Sequence, residues 1–118
     1  MRVDLLLGLQ WGDEGKGKVV DHLAGTADVV ARFSGGANAG HTVRFADRKF
    51  ALHLVPSWII HDEATCYLGS GMVVDPTGLV AEMDTIIEEG VDIDGRIKLS
   101  PRATLILPTH RALDSARE

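Results

Sequence analysis

The chain has 118 residues, 45% of them hydrophobic and 25% charged, with a single cysteine and a formal net charge of −5. That length makes one domain at most, burying roughly two-thirds of its unfolded surface, and the acidic balance speaks against a broad nucleic-acid or anionic-membrane surface. Cys66 alone excludes an internal disulfide and a cysteine-based metal site, and no apolar run approaches the length that spans a bilayer. Met1-Arg2-Val3-Asp4 puts charge where a signal peptide would be apolar, so a soluble, reducing, cytoplasmic setting is expected.

Residues 3–9, apolar apart from Asp4, read as a buried strand. They lead into Gly12-Asp13-Glu14-Gly15-Lys16-Gly17-Lys18, which fits G-x-x-x-x-G-K, the body of a phosphate-binding loop. Small residues let backbone N–H groups approach phosphate oxygens, and the helix that follows adds the positive end of its dipole. The next residue is Val19, not the Ser or Thr that would hold magnesium, so a cation needs another ligand. Asp13 is the candidate, since a carboxylate facing phosphates is costly unless a metal lies between them. Residues 16–24 read as a short helix, with Val19, Val20 and Leu23 on one face and Gly25 as its C-terminal cap.

Residues 28–33 read as a second strand, followed by Ser34-Gly35-Gly36-Ala37-Asn38-Ala39-Gly40-His41-Thr42. Strand, helix and strand make a parallel unit, and ligands bind beyond the carboxyl ends of such strands. Each motif follows a strand, so the two loops are expected side by side at one end of the sheet. Residues 42–46 and 49–55 suggest a hairpin around Asp47-Arg48. Residues 56–60 suggest a turn or short helix, and residues 64–68 a strand ending at Gly69-Ser70-Gly71. That triplet is either a chain reversal or a second phosphate nest. Residues 75–89 form the clearest helix, capped by Asp75 with Pro76 at its first position and stopped by Gly90. Leu79, Val80, Met83, Ile86 and Ile87 make its apolar face, leaving Glu82, Asp84, Glu88 and Glu89 as a solvated face without a site. Residues 97–99 and 104–107 read as strands, and Pro108 opens a last helix that reaches the chain end without a cap.

Together, Q-W-G-D-E-G-K-G-K and G-G-A-N-A-G-H-T, about 20 residues apart, resemble the N-terminal part of the adenylosuccinate synthetases. The similarity runs from Val3 to the end, through Leu52-His53-Leu54-Val55-Pro56 and Ala112-Leu113-Asp114-Ser115-Ala116-Arg117-Glu118. The resemblance implies an α/β, phosphate-loop-like fold with a mainly parallel central sheet flanked by helices, plus a β-hairpin. Members of this family are several times longer, so residues 1–118 are expected to be the N-terminal part of a single synthetase domain, inactive alone. The family's later glycine-threonine phosphate segment, aspartate-binding loop and guanine-reading residues have no counterpart in this stretch.

The resemblance also implies the chemistry. IMP, GTP and L-aspartate are the substrates, magnesium is the metal, and the full enzyme is a cytoplasmic homodimer in AMP biosynthesis. Asp13 would take the N1 proton of IMP and ligand the metal, while His41 would donate to the developing phosphoryl charge or O6. The carbonyl of Gly40 would be a further magnesium ligand. GTP would meet Gly12, Asp13, Glu14, Gly15, Lys16, Gly17 and Lys18, then Gly40, His41 and Thr42. IMP would meet Asp13, Glu14, Gly15 and Lys16, then Asn38, Ala39, Gly40 and His41. Read without the family, Asn38 pairs with a purine edge or a phosphate, or is an exposed turn residue. Trp11 is expected to pack beneath its loop, and His22, His53, His61 and His110 to be structural or merely exposed. Two rivals stand beside this reading. One is a related synthetase acting on a 2-aminopurine nucleotide, against which Asp13 argues. The other is a truncated, non-catalytic nucleotide-binding module.

Overall fold

The structure is a computed structural model that describes residues 2–11, 14–37, 40–45, 48–61 and 64–117. In chain order the elements are helix α1 (Lys16–Ala24), β1 (Val29–Gly35), β2 (His41–Phe45), β3 (Arg48–Leu52), a 3-10 turn (Ser57–Ile60), β4 (Thr65–Val74), α2 (Pro76–Glu88), β5 (Ile97–Leu99), β6 (Thr104–Leu105) and α3 (Pro108–Ser115). Strand β4 is central. It pairs in parallel with β1 on residues 65–72, with β5 through Cys66, Tyr67 and Leu68, and with β6 through Val73 and Val74. Strands β2 and β3 form a separate antiparallel hairpin, His41 opposite Leu52 and Phe45 opposite Arg48. The fold is therefore the expected α/β arrangement, a parallel sheet with helices and a hairpin.

The core lies on one face of this sheet. Alternate residues of β4, Cys66, Leu68, Met72 and Val74, meet Leu52, Leu54, Val55 and Ile59 from the segment after the hairpin, and Leu79 and Ile86 from α2. The other sheet face exposes Tyr67 and Val73 of β4 with Val29 and Phe33 of β1. A smaller cluster joins Ala24 of α1 to Trp58 and Ala64, with Val20 and Val30 alongside. Val19 and Leu23, expected on the packed face of α1, are instead half-exposed. Among the described side chains of α1 the Val20–Ala24 line reaches the core, because a nine-residue helix meets its neighbours along one narrow stripe.

Helix α2 follows its sequence signals closely. The Asp75 side chain accepts from Thr77 N–H at 3.1 Å and Pro76 takes the first turn. At the other end Gly90 adopts φ 85° while its N–H bonds Ile87 O and Val91 N–H bonds Ile86 O, a Schellman closure. Its apolar stripe is narrower than predicted, since Val80 and Ile87 are exposed. Helix α3 closes at Ser115, with Ala116 N–H bonded to Ala112 O, and His110 Nδ1 accepts from Leu107 N–H at its start.

Two expectations about strands and turns fail. Residues 3–9 form no strand and leave Val3, Leu5, Leu7 and Leu9 exposed. Apolar composition makes a buried strand only where a ladder partner and covering faces exist, and the described residues supply neither. Gly69-Ser70-Gly71 is neither reversal nor nest, because β4 runs straight through it. The pairing passes from Arg32–Leu68 to Ser34–Gly71, so β4 carries one extra residue opposite Phe33. A Cβ on Gly71 would lie 2.5 Å from Phe33 O, and one on Gly69 would lie 3.0 Å from Arg32 O. The glycines allow this bulge to press against the β1 backbone.

Candidate functional site

The first glycine-rich motif opens α1. Gly15 is its N-cap at φ 78°, and the N–H groups of Lys18 and Val19 turn back to Gly15 O. The N–H groups of Lys16 and Gly17, ahead of these, have no acceptor a turn earlier within the helix, and donors of that kind are what an anion takes up. Glu14 accepts from Gln10 N–H at 2.8 Å and from Lys16 Nζ at 2.6 Å. The Lys16 hydrogen bond, with backbone N–H groups of Glu14 and Gln10 behind it, lowers the Glu14 carboxyl to about 2. This pair folds over Gly8, where a Cβ would come within 2.4 Å of Lys16 Nζ. Lys16, expected at phosphate, thus holds a neighbouring carboxylate here, while Lys18 is exposed and Gly17 sits in the first turn of α1. Gly12 and Asp13 lie outside the described residues. Trp11, expected beneath the loop, is 95% exposed.

The second motif leaves the carboxyl end of β1. Gly35 takes φ 108°, and a Cβ on Gly36 would lie 3.3 Å from Val73 O. Asn38 and Ala39 lie outside the described residues. Gly40 follows them, His41 opens β2 and Thr42 is exposed. Nothing is described of the His41 side chain.

What holds this loop was not evident from sequence. His53, expected to be structural or merely exposed, places Nδ1 3.1 Å from Ala37 O. A carbonyl only accepts, so Nδ1 carries the hydrogen. The same ring backs Gly40, where a Cβ would meet His53 Cε1 at 2.7 Å and Nδ1 at 3.1 Å. His53 is fixed in turn by Glu82 and Arg32. Glu82, assigned from sequence to a solvated face, is buried, and its carboxylate accepts from the N–H groups of His53 (3.0 Å), Leu54 (3.0 Å) and Val55 (2.8 Å). Burial of an unpaired carboxylate is expensive, and these three donors remove that cost. Arg32 donates to the carbonyls of His53 and Leu54, the latter at 2.9 Å, and to Gly36 O at 3.4 Å. Burial lowers the Arg32 pKa and the charge of Glu82 opposes that shift. The sequence did carry a signal for Glu82, which stands between Leu79 and Ile86 at i+3, inside the apolar stripe.

A cleft of ≈ 340 Å³ opens beside His53, lined among others by Ala37, Glu82, Asp75 and Arg111. Arg111 of α3 pairs with the buried carboxylate of Asp75. Among the described residues no three His, Cys, Asp or Glu side chains converge as metal ligands. No helix among them is long and apolar enough to cross a membrane.

A parallel sheet flanked by helices, with one glycine-rich segment opening a helix and a second leaving a strand's carboxyl end, defines an α/β protein. Comparison with known proteins narrows this class. Residues 5–118 match the adenylosuccinate synthetase family model. The adenylosuccinate synthetases of Christiangramia forsetii and Moorella thermoacetica are 52% and 53% identical over 118 residues, the whole of this chain. Among solved structures, the fully ligated adenylosuccinate synthetase of Plasmodium falciparum matches 95% of the chain at 44% identity with a TM-score of 0.80. The succinoaminodeoxyadenylate synthetase of cyanophage S-2L, bound to dGMP and dATP, matches 91% at 29% identity and a TM-score of 0.62. The chain belongs to the adenylosuccinate synthetase family. It spans about 28% of the length of the curated relatives and 26% of the Plasmodium chain.

Proposed function

We propose that this chain is the N-terminal part of the single synthetase domain of a GTP-dependent ligase that joins L-aspartate to IMP. The observation that carries the reading is the pair of motifs, with Asp13 inside the first, in a chain about half identical to adenylosuccinate synthetases along its whole length. In the proposed reaction Asp13 takes the N1 proton of IMP as O6 attacks the γ-phosphorus of GTP, breaking the bond to the β-phosphate and releasing GDP. The amine of aspartate then displaces phosphate from C6. Asp13 is a weak base for a lactam proton, so the step needs the charge on O6 to be captured as it forms. His41 donates a hydrogen bond to that charge, which acts in the transition state more than in the ground state.

Magnesium fits the donor set. The Asp13 carboxylate and the Gly40 carbonyl are both hard oxygen ligands, and Gly40 has room for no Cβ beneath His53. When bound, the ion screens the phosphate charge and lets a carboxylate stand beside it. The N–H groups at the start of α1, with Gly12, Gly15, Gly17, Lys16 and Lys18, receive the GTP phosphates. For Lys16 this means leaving Glu14, an exchange of one anion for another. Glu14, Asn38, Ala39 and Thr42 complete the nucleotide contacts, and the protein acts as a cytoplasmic homodimer.

The test is Asp13→Asn in the protein expressed from its natural reading frame. The amide keeps the shape and removes both the base and the metal charge. Turnover is expected to vanish while IMP binding, measured directly, persists. Residual turnover within about tenfold of wild type, roughly 1.4 kcal/mol on the barrier, would remove Asp13 from the role of base.

A further inference from the structure

We propose that His53 is a positioning residue for the second motif, gripping its loop on both sides of Asn38-Ala39. On one side its Nδ1–H bonds the carbonyl of Ala37 at 3.1 Å. On the other its ring occupies the space that any Cβ at Gly40 would need, 2.7 Å from Cε1. The ring is a firm support because its own backbone is held twice. Its N–H donates to the buried Glu82 at 3.0 Å and its carbonyl accepts from Arg32. Arg32 also reaches Gly36 O, so the loop's entry and its support share one guanidinium. Glu82 lies on α2 and Arg32 on β1, both part of the packed body of the fold. Ala37 and Gly40 are thus tied to the packed body of the fold through one imidazole, the kind of arrangement that keeps a binding loop in its productive geometry. The inference rests on the proposed role of the Asn38–His41 segment in binding IMP and magnesium.

The experiment uses the protein expressed from its natural reading frame, with His53→Asn, His53→Leu, Gly40→Ala and the double variant Gly40→Ala/His53→Ala. Asparagine can offer an N–H close to the position of Nδ1, and leucine fills the space without a donor. His53→Leu is expected to raise the KM for IMP about tenfold, and His53→Asn to stay within about threefold of wild type. The KM for aspartate should stay constant in both. Gly40→Ala is expected to lose most turnover, and removing the ring in the double variant to restore about tenfold of it. Equal impairment by Asn and Leu, an aspartate KM that moves with that for IMP, or a double variant no better than Gly40→Ala would overturn the proposal. A second readout needs no turnover, namely hydrogen exchange of the peptide over residues 36–42. His53→Leu should speed it about tenfold at an unchanged melting temperature, and unchanged exchange would overturn the positioning role. A wild-type protein that makes no adenylosuccinate would defeat the proposed function, while the exchange result still decides the role of His53.

Discussion

Glu82 and Arg32 hold the same short segment from opposite sides of its peptides. The carboxylate accepts from the N–H groups of residues 53, 54 and 55, and the guanidinium donates to the carbonyls of 53 and 54. Each charge is partly desolvated and each is satisfied by backbone dipoles, with the opposite charge close enough to influence Arg32. Removing Glu82 would leave three N–H groups without their acceptor and Arg32 without its counter-charge. Glu82→Ala is expected to cost about 1–3 kcal/mol, the range for leaving buried donors without a partner. Glu82→Gln keeps one acceptor oxygen and should cost less. Urea denaturation of both variants checks the order, and equal losses would show that the charge contributes nothing.

Two glycines, Gly71 in β4 and Gly25 at the end of α1, give a prediction with opposite signs. Gly71→Ala would place a Cβ 2.5 Å from Phe33 O, a backbone atom that moves only if β1 moves. The expected cost is about 1–3 kcal/mol, the range for overpacking. At Gly25 the backbone is already right-handed at φ −55°, and the nearest atom to a new Cβ is Trp58 Cη2 at 4.0 Å. Gly25→Ala should therefore stabilise by about 0.4–1 kcal/mol through the unfolded chain. Thermal melting of the two variants should move in opposite directions.

Local signals were legible and remote ones were not. The bounds of α1, the Asp75-Pro76 start and Gly90 stop of α2, and the hairpin are set by residues within a turn of one another, and the sequence displays them. Glu82 looked solvated because its donors lie 27 to 29 residues away and belong to the backbone, which has no letter in the sequence. Gly69-Ser70-Gly71 looked like a turn because the reason for its glycines is the main chain of β1, not its own conformation. His53 was unremarkable for the same reason, its partners being the Ala37 carbonyl and an absent side chain at Gly40. For residues 3–9 composition stated an intention to be buried, and only packing partners can fulfil it. Of the candidate site, the motifs themselves were readable, whereas their supports were not.

Cys66 gives a pH prediction. It is fully buried, and burial pushes its thiol up from near 9 to about 11, against the opposing charge of Arg96. The folded state therefore prefers the neutral thiol. Its contribution to stability is whole below about pH 9 and is lost as pH rises toward 11. Cys66→Ala should flatten the fall in stability across that window, at the cost of a small cavity. At pH 8 a thiol reagent should label the folded protein far more slowly than the urea-unfolded one. Labelling at similar rates would mean that the sheet opens readily at β4.

The last prediction concerns a polypeptide of these 118 residues expressed alone. Along residues 3–11 it displays Val3, Leu5, Leu7, Leu9 and Trp11, all more than half exposed. The outer face of the sheet adds Val29, Phe33, Tyr67 and Val73. Apolar surface so distributed exceeds what scattered surface residues explain, and a parallel sheet normally covers both faces. The polypeptide is therefore expected to self-associate, eluting from a sizing column with light scattering above its monomer mass and shifting with dilution. Activity should be absent as well. The proposed reaction aligns three substrates at once, and positioning of this kind accounts for roughly 7–11 kcal/mol of a barrier. The chain contributes two loops and their supports, about 28% of the length of its curated relatives. An assay with IMP, GTP, magnesium and aspartate is expected to show no adenylosuccinate, whereas phosphate binding at the start of α1, being local in sequence, should persist weakly. A monomer that turns over about once per second or faster would show that the two loops suffice for the reaction.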